Sequence, residues 1–202
     1  MKYSAIIFDL DGTLIDSRQG ILIALQDACR SVDGKARSFD TSLIGPPVRD
    51  MLKQAVPSFS DKELDVATTK FRSIYDDHGW AGYRLYLNVI ETIDQIASSG
   101  IQIHIATFKP KLPTLKICHD AGLDIYTSSI RSFDENVHTS KVDMIHDFKD
   151  QNVLFVGDTN SDYETACVYN FDYVHCCYGF GDVTKPTYSI NNFSQLKEVI
   201  ND

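Results

Sequence analysis

Two carboxylates, Asp9 and Asp11, stand one residue apart in "IIFDLDGTLIDS" (residues 6–17), between an apolar run and a Gly-Thr pair. Two more, Asp158 and Asp162, follow another apolar run in "NVLFVGDTNSD". Carboxylates gathered at one edge of a fold repel one another unless a cation lies among them. Because an all-oxygen set suits hard Mg²⁺ better than zinc, these residues predict a magnesium site.

Each of these residues, taken singly, also has a structural interpretation. A single Asp in a D-x-D pair is often a turn former or a helix N-cap, and Asp162 suits a helix N-terminus through the helix dipole. Their joint occurrence after successive apolar runs favours the chemical interpretation.

Short apolar runs that end at polar or Gly-containing turns recur along the chain, which is typical of buried parallel strands. They are residues 3–10, 101–108, 124–130, 152–158 and 171–178. Segments with helical spacing lie between them, and residues 193–201 predict a closing helix. The alternation predicts an α/β fold with a Rossmann-like, doubly wound parallel sheet and right-handed crossovers.

Sheets of this kind bind ligands at the carboxyl ends of their strands, near the point where the strand order reverses. Thr107 comes at the end of the second run, and Lys141 opens the helix that follows the third. We therefore expect both side chains to reach the edge that carries the aspartates.

The stretch from about residue 16 to about residue 83 has no good strand candidate but has helical patterns near 18–32, 47–56 and 60–77. Pro46 and Pro47 lie near the start of the second pattern, and Ser60 is a candidate N-cap for the third. We predict a core domain from residues 1–15 and 84–202 and an inserted helical cap domain over 16–83.

Composition limits the class of protein. The chain has 202 residues, is 43% hydrophobic and carries a formal net charge of −9, which argues against binding to nucleic acid or anionic lipid. No run approaches the roughly eighteen apolar residues of a membrane helix, and Asp9 stands where a signal peptide is apolar. The five cysteines form no C-x-x-C pair. A cytoplasmic protein with reduced thiols is expected.

Four motifs together resemble the haloacid dehalogenase superfamily of phosphohydrolases, in the branch with a helical cap after the first strand that is similar to phosphoglycolate phosphatases. They are "DLDGTLIDS", "IATFKP", "TSKVDMI" around Lys141, and "VGDTNSDYETA". Their order and approximate spacing match the family over nearly the whole chain. "DxDGT" followed far downstream by "GDTxxD" is the specific pair.

The resemblance implies a role for each strand-end residue. Asp9 would be the nucleophile that takes the phosphoryl group, and Asp11 the general acid and then the general base. Thr107 and Lys141 would hold the phosphoryl oxygens. Mg²⁺ would be held by Asp9, the backbone carbonyl of Asp11 and Asp158, with Asp162 helping directly or through water.

The resemblance also implies substrate-binding positions at Thr107, Phe108, Lys109 and Arg49. Arg49, in the cap segment "LIGPPVRDML", has two interpretations, a ligand of a substrate carboxylate or phosphate and a solvated helix-face arginine. Phe108 stands where relatives have Asn or Ser, so its ring is expected to narrow the pocket.

Three further positions bear on the comparison with the family. Asn88 replaces a family Gly and tolerates a left-handed backbone. Val142 follows Lys141 where relatives have Pro, which leaves the helix start less fixed. His138 lies near Lys141 in sequence and is expected in a surface loop.

These observations predict a Mg²⁺-dependent phosphatase that acts on a small phosphorylated metabolite as a monomer or a homodimer. Asp11 argues against the halide-displacing and phosphonate-cleaving members, which lack an Asp at this position. Two alternatives stand beside the phosphatase, a phosphomutase of the β-phosphoglucomutase type and a catalytically idle protein that binds a phosphorylated ligand.

Overall fold

The computed structural model describes residues 2–134 and 140–201 of the chain. Its strands are β1 (Ala5–Phe8), β2 (Ile15–Asp16), β3 (Arg84–Leu85), β4 (Gln102–Pro110), β5 (Ser129–Phe133), β6 (Val153–Gly157), β7 (Asp172–Cys176) and β8 (Tyr188–Ile190). Its α-helices are α1 (Arg18–Asp33), α2 (Val48–Ala55), α3 (Asp61–Asp77), α4 (Val89–Ser98), α5 (Lys111–Asp120), α6 (Lys141–Met144), α7 (Asn160–Val168) and α8 (Leu196–Asn201).

The main sheet has six strands in the order β5-β4-β1-β6-β7-β8, and every neighbouring pair is parallel. The chain builds outward from β1 through β4 to β5 and then returns to β6 on the other side of β1, so the order reverses between β1 and β6. The prediction of an α/β, Rossmann-like parallel sheet with an inserted helical cap domain is confirmed.

The apolar character of the central strands explains their burial. Every residue of β1 is buried, as is every residue of β6. On one face of the sheet Ile7, Phe155 and Tyr173 pack with Met144 and Phe148. Because apolar contact on both faces replaces contact with water, these strands form the interior of the unit.

The chain divides into two compact units, Met1–Asp16 with Leu85–Asp202 and the intervening Ser17–Arg84. We call the first the α/β unit and the second the helical unit. The short strands β2 and β3 form a separate two-stranded sheet at the sequence positions where the division falls.

The helical unit contains α1, α2 and α3 around one apolar core that includes Leu25, Leu52, Leu64 and Phe71. Ser60 begins α3 through a capping box, in which its hydroxyl accepts from the Glu63 amide and the Glu63 carboxylate accepts from the Ser60 amide. The Ser60 prediction is confirmed, and the predicted helices match α1, α2 and α3 within a few residues.

Several predicted boundaries differ from the structure. The third strand runs over Ser129–Phe133 rather than 124–130, because Leu123 and Tyr126 close turns after α5. The segment near 142–148 is a short helix, α6, followed by a 3₁₀ turn, and the closing helix starts with a 3₁₀ turn before α8. β8, β2 and β3 were not predicted because each has only two or three residues. Asn88 adopts the expected left-handed backbone at φ 65°.

Among residues 2–134 and 140–201, no helix combines the length and the apolar character that crossing a membrane requires.

Candidate active site

Three aspartates meet at the carboxyl edge of the sheet, beside the point where the strand order reverses. Asp9 follows β1, Asp158 follows β6, and Asp162 lies in the first turn of α7. One carboxylate oxygen from each lies within 4.8 Å of the others, and all three residues are buried. The register produces this meeting, because Phe8 pairs with Val156 and the two strands end side by side.

Two glycines, Gly12 and Gly179, let the backbone approach Asp158 more closely than a side chain would allow. Asp158 Oδ2 accepts from the Phe180 amide at 2.7 Å, and its Oδ1 accepts from the Thr13 hydroxyl at 3.4 Å. A Cβ on Gly12, whose φ is +84°, would fall 2.1 Å from Asp158 Oδ2, and one on Gly179 would fall 2.3 Å from Asp158 Cβ. The glycine of "DGT" therefore lets the first loop close over Asp158.

Lys141 is the cation at the centre of this cluster. Its Nζ donates to Asp9 Oδ1 at 2.6 Å and also to Asp162 Oδ1. Ser140 caps α6, since its hydroxyl accepts from the Asp143 amide at 3.0 Å. This cap fixes the start of α6, which the sequence left less fixed because no proline follows Lys141.

Burial and charge change the acidities of these groups. Burial raises the pKa of Asp9 to about 8, against the opposing charge of Lys141. Burial and the charge of Asp162 raise the pKa of Asp158 to about 7. Burial disfavours the charged form of Lys141, but the carboxylates of Asp162 and Asp9 outweigh it and raise the pKa of the ammonium. The cluster thus holds more carboxylates than one lysine neutralises.

Asp162 contacts both the start of α7 and Lys141. Its Oδ2 accepts from the Thr159 amide at 3.1 Å and the Thr159 hydroxyl at 2.6 Å, which completes a capping box at the start of α7. Its Oδ1 accepts from Lys141. The carboxylate that caps α7 therefore also accepts from the lysine of the charged cluster.

Asp11 lies apart from the three-aspartate cluster and has its own cation. Lys109 Nζ donates to Asp11 Oδ1 at 2.9 Å and to Oδ2 at 3.0 Å. Thr107 is buried on β4, and its Oγ1 accepts from the Lys109 amide at 3.2 Å. The structure thus brings Thr107, Lys109 and Asp11 together at the same sheet edge.

The other predicted positions differ in their surroundings. Phe108 is 44% exposed, and the Lys141 Nζ lies 5.9 Å from its ring centroid. Arg49 lies in the helical unit and donates to Asp61 and Asp65 at the surface. His138 lies outside the described residues. Sequence reasoning did not single out Phe180 or Thr13, whose contacts to Asp158 depend on tertiary structure.

The donor chemistry of the cluster fits a magnesium ion. With Asp9, Asp158 and Asp162 ionised and Lys141 protonated, three negative charges face one positive charge. A divalent cation would balance the resulting net charge of −2. Carboxylate oxygens are the ligands that Mg²⁺ prefers, and no described His or Cys joins this group.

Curated relatives and solved structures are similar to this chain in sequence and fold. Tyrosine-protein kinase PtkA from Mycobacterium tuberculosis is 27% identical over 87% of this chain, which spans only 62% of that protein's length. Phosphoglycolate phosphatase from Pectobacterium atrosepticum is 26% identical over 96% of this chain and 90% of its own. A crystal structure from Clostridium difficile, described provisionally as a phosphatase, superposes with a TM-score of 0.88 at 27% identity and covers 98% of both chains.

The sequence model of the family described as haloacid dehalogenase-like hydrolase matches residues 6–175, which contain Asp9, Asp11, Lys141, Asp158 and Asp162. The match covers most of the chain and includes all five of these residues. This chain therefore belongs to the haloacid dehalogenase-like hydrolase family.

Proposed function

We propose that the chain is a Mg²⁺-dependent phosphatase that hydrolyses a small phosphorylated metabolite through an aspartyl-phosphate. The observation that carries the proposal is the buried group of Asp9, Asp158 and Asp162 around Lys141. Burying this much charge is costly, so its presence at a ligand-binding edge supports a catalytic role.

Asp9 is the proposed nucleophile. One of its carboxylate oxygens forms a bond to phosphorus while the bond between phosphorus and the leaving oxygen breaks. Lys141, 2.6 Å from Asp9, keeps positive charge beside the incoming phosphoryl oxygens, and Thr107 offers its hydroxyl to them from β4.

Asp11 is the proposed acid and base. It gives its proton to the leaving oxygen in the first step and takes a proton from the attacking water in the second. That water forms a bond to phosphorus, the bond to Asp9 breaks, and inorganic phosphate is released with both carboxyl groups restored.

Four groups would hold Mg²⁺, namely Asp9, the backbone carbonyl of Asp11, Asp158 and Asp162, the last directly or through water. The capping role of Asp162 Oδ2 and the contact of its Oδ1 with Lys141 favour the water-mediated arrangement. When bound, the ion supplies positive charge that lets a carboxylate approach an anionic phosphoryl group.

The substrate proposed is a small phosphorylated metabolite such as a phosphoglycolate-like ester, a sugar phosphate or a nucleotide. The name of the Pectobacterium relative supports the first. Phe108 presents an apolar ring beside Lys141, which favours a less polar leaving group than glycolate. We assign residues 16–83 as the cap domain that selects the substrate, with Arg49 as a candidate contact, and residues 1–15 and 84–202 as the catalytic core.

Other acceptors for the phosphoryl group define the alternatives. A phosphomutase of the β-phosphoglucomutase type returns the group to a sugar hydroxyl, and the name of PtkA describes transfer to tyrosine. An idle protein that only binds a phosphorylated ligand does not need all of Asp9, Asp11, Lys141 and Asp158, which are present here. The proposal places the enzyme in the cytoplasm as a monomer or a homodimer.

The test is phosphate release from a panel of phosphate monoesters, with Mg²⁺ and with EDTA. Asp9→Asn removes the nucleophile but keeps its shape, so we expect no release although circular dichroism shows an intact fold. Asp94→Asn, the same change at an exposed position on α4, is the matched control and keeps wild-type activity. Release that persists in EDTA or in Asp9→Asn contradicts the proposal.

A further inference from the structure

The site holds two separate lysine-carboxylate groups with different geometries. Lys141 links Asp9 to Asp162, whereas Lys109 contacts both oxygens of one carboxylate, that of Asp11. The Lys109 side chain is 5% exposed and that of Asp11 is 23% exposed. An ammonium so deeply buried offers little surface to a substrate.

The backbone around Lys109 is fixed on both sides. Its amide donates to Thr107 Oγ1 at 3.2 Å, and its carbonyl accepts from the Thr114 hydroxyl at 3.3 Å. The pairing of β4 with β5 shifts register between Thr107 and Pro110, so β4 is irregular where Lys109 leaves it. Such irregularities change the direction of a side chain.

We propose that Lys109 is a positioning residue for Asp11 and not a ligand of the substrate. The inference rests on the proposed function, in which Asp11 transfers protons. Donation to both oxygens restricts the rotation of the Asp11 side chain and keeps the carboxyl group at one place relative to Asp9.

A positioning role has a kinetic consequence that a binding role does not have. Proton donation matters most when the leaving oxygen is strongly basic and least when it is a stable anion. Phenyl phosphate and 4-nitrophenyl phosphate have nearly the same shape, but phenolate is the more basic leaving group. Loss of Lys109 is therefore expected to slow phenyl phosphate more than 4-nitrophenyl phosphate.

The experiment compares Lys109→Met, Asp11→Asn and the double variant on both esters under saturating Mg²⁺. For Lys109→Met we expect kcat on phenyl phosphate to fall about tenfold or more, within the range assigned to acid-base catalysis, with KM little changed. In the Asp11→Asn background the same substitution adds no further loss, because Lys109 acts through Asp11. Lys109→Arg, whose guanidinium can reach two oxygens, restores part of the rate.

Three results overturn the inference. Lys109→Met could raise KM equally for both esters, could slow Asp11→Asn as much as wild type, or could leave both rates unchanged. If Lys109→Met does not fold, Lys109→Gln carries the same comparison with a neutral polar side chain. If wild type and Asp9→Asn release phosphate equally, the phosphatase proposal fails and this inference fails with it. If the wild type is active and the losses from Lys109→Met and Asp11→Asn add in the double variant, only the role of Lys109 is refuted.

Discussion

The ion pairs at the carboxyl edge of the α/β unit are buried, whereas those that Arg49 makes in the helical unit lie at the surface. The side chains of Lys141, Asp9 and Asp162 are 5%, 7% and 0% exposed. In the helical unit Arg49 is 40% exposed, and its partners Asp61 and Asp65 are 87% and 68% exposed. The same types of ion pair therefore carry very different energies in the two units.

The interiors of the two units differ in the same way. Among the described residues that are polar or charged and buried, Ser17 alone belongs to the helical unit. The helical unit is instead held by apolar side chains such as Leu52 and Phe71. The comparison teaches that buried charged groups able to do chemistry reduce stability inside the α/β unit. In the helical unit, polar residues at the surface can change at little cost in stability.

The largest expected effect comes from removing a buried cation. Lys141→Met leaves Asp9 and Asp162 buried without a counter-charge, which costs about 3–5 kcal/mol of the free energy of unfolding. The measurement is urea denaturation in EDTA at about pH 9, above the pKa values of about 8 and about 7 that Asp9 and Asp158 have with Lys141 present.

Arg49→Met is the matched control for this measurement, because it removes an exposed cation that also contacts two carboxylates. We expect only a small shift of its urea midpoint. Equal midpoints for Lys141→Met and Arg49→Met would break the comparison between the two units.

Two glycines with positive φ give the second comparison. A Cβ on Gly12 meets Asp158 Oδ2 at 2.1 Å, whereas one on Gly34, the C-cap of α1 with φ +75°, has nothing within 4 Å. Gly34→Ala is expected to cost about 1–2 kcal/mol from backbone strain alone. Gly12→Ala adds the displacement of Asp158, for a total of about 2–5 kcal/mol. Urea denaturation of both variants tests this, and similar losses would show that Asp158 moves freely.

Metal binding provides the third prediction. Asp158→Asn removes a proposed ligand, so the Mg²⁺ concentration for half-maximal phosphate release is expected to rise at least about tenfold. Asp27→Asn, the same substitution at an exposed position on α1 in the helical unit, keeps the wild-type titration. An unchanged Mg²⁺ titration for Asp158→Asn would remove it from the proposed ligand set.

The sequence was most informative where local pattern determines structure. Apolar runs located β1, β4, β6 and β7, and the Ser60 and Glu63 spacing located the start of α3. The third strand was predicted too early in the chain because "DIYTSSI" has the composition of a short apolar run, but its first residues close turns after α5. Short-range pattern could not distinguish these two uses of the same residues.

At the site, the sequence identified the types of residue but not which residues contact one another. Parallel strands bring their ends together, so the meeting of Asp9 with Asp158 followed from the fold class. The contact between Lys109 and Asp11 joins residues 98 positions apart and depends on the irregular end of β4. No spacing in the sequence indicates that Lys109 contacts Asp11 while Lys141 contacts Asp9.

The smallest effect concerns a buried imidazole away from the aspartates. His104 on β4 is 5% exposed, its Nδ1 lies 2.8 Å from Ser129 Oγ, and its Nε2 has no hydrogen-bond partner among the described residues. Its ring packs on Phe148, 4.6 Å between centroids. Burial lowers the pKa of His104 below 6.5, and the charge of Arg131 lowers it further, although Asp147 opposes this.

A lowered pKa in the folded state means that the unfolded chain binds the proton first as the pH falls. His104 therefore contributes stability that is complete above its ordinary pKa of 6.5 and is lost as the pH falls through the lower, folded-state value. The neutral variant His104→Asn is expected to lose less stability than wild type between about pH 7 and about pH 5 in urea denaturation. Contributions from Asp9 and Asp158 are common to both proteins and cancel in the difference. Parallel curves for the two proteins would show that the buried imidazole accepts a proton without cost.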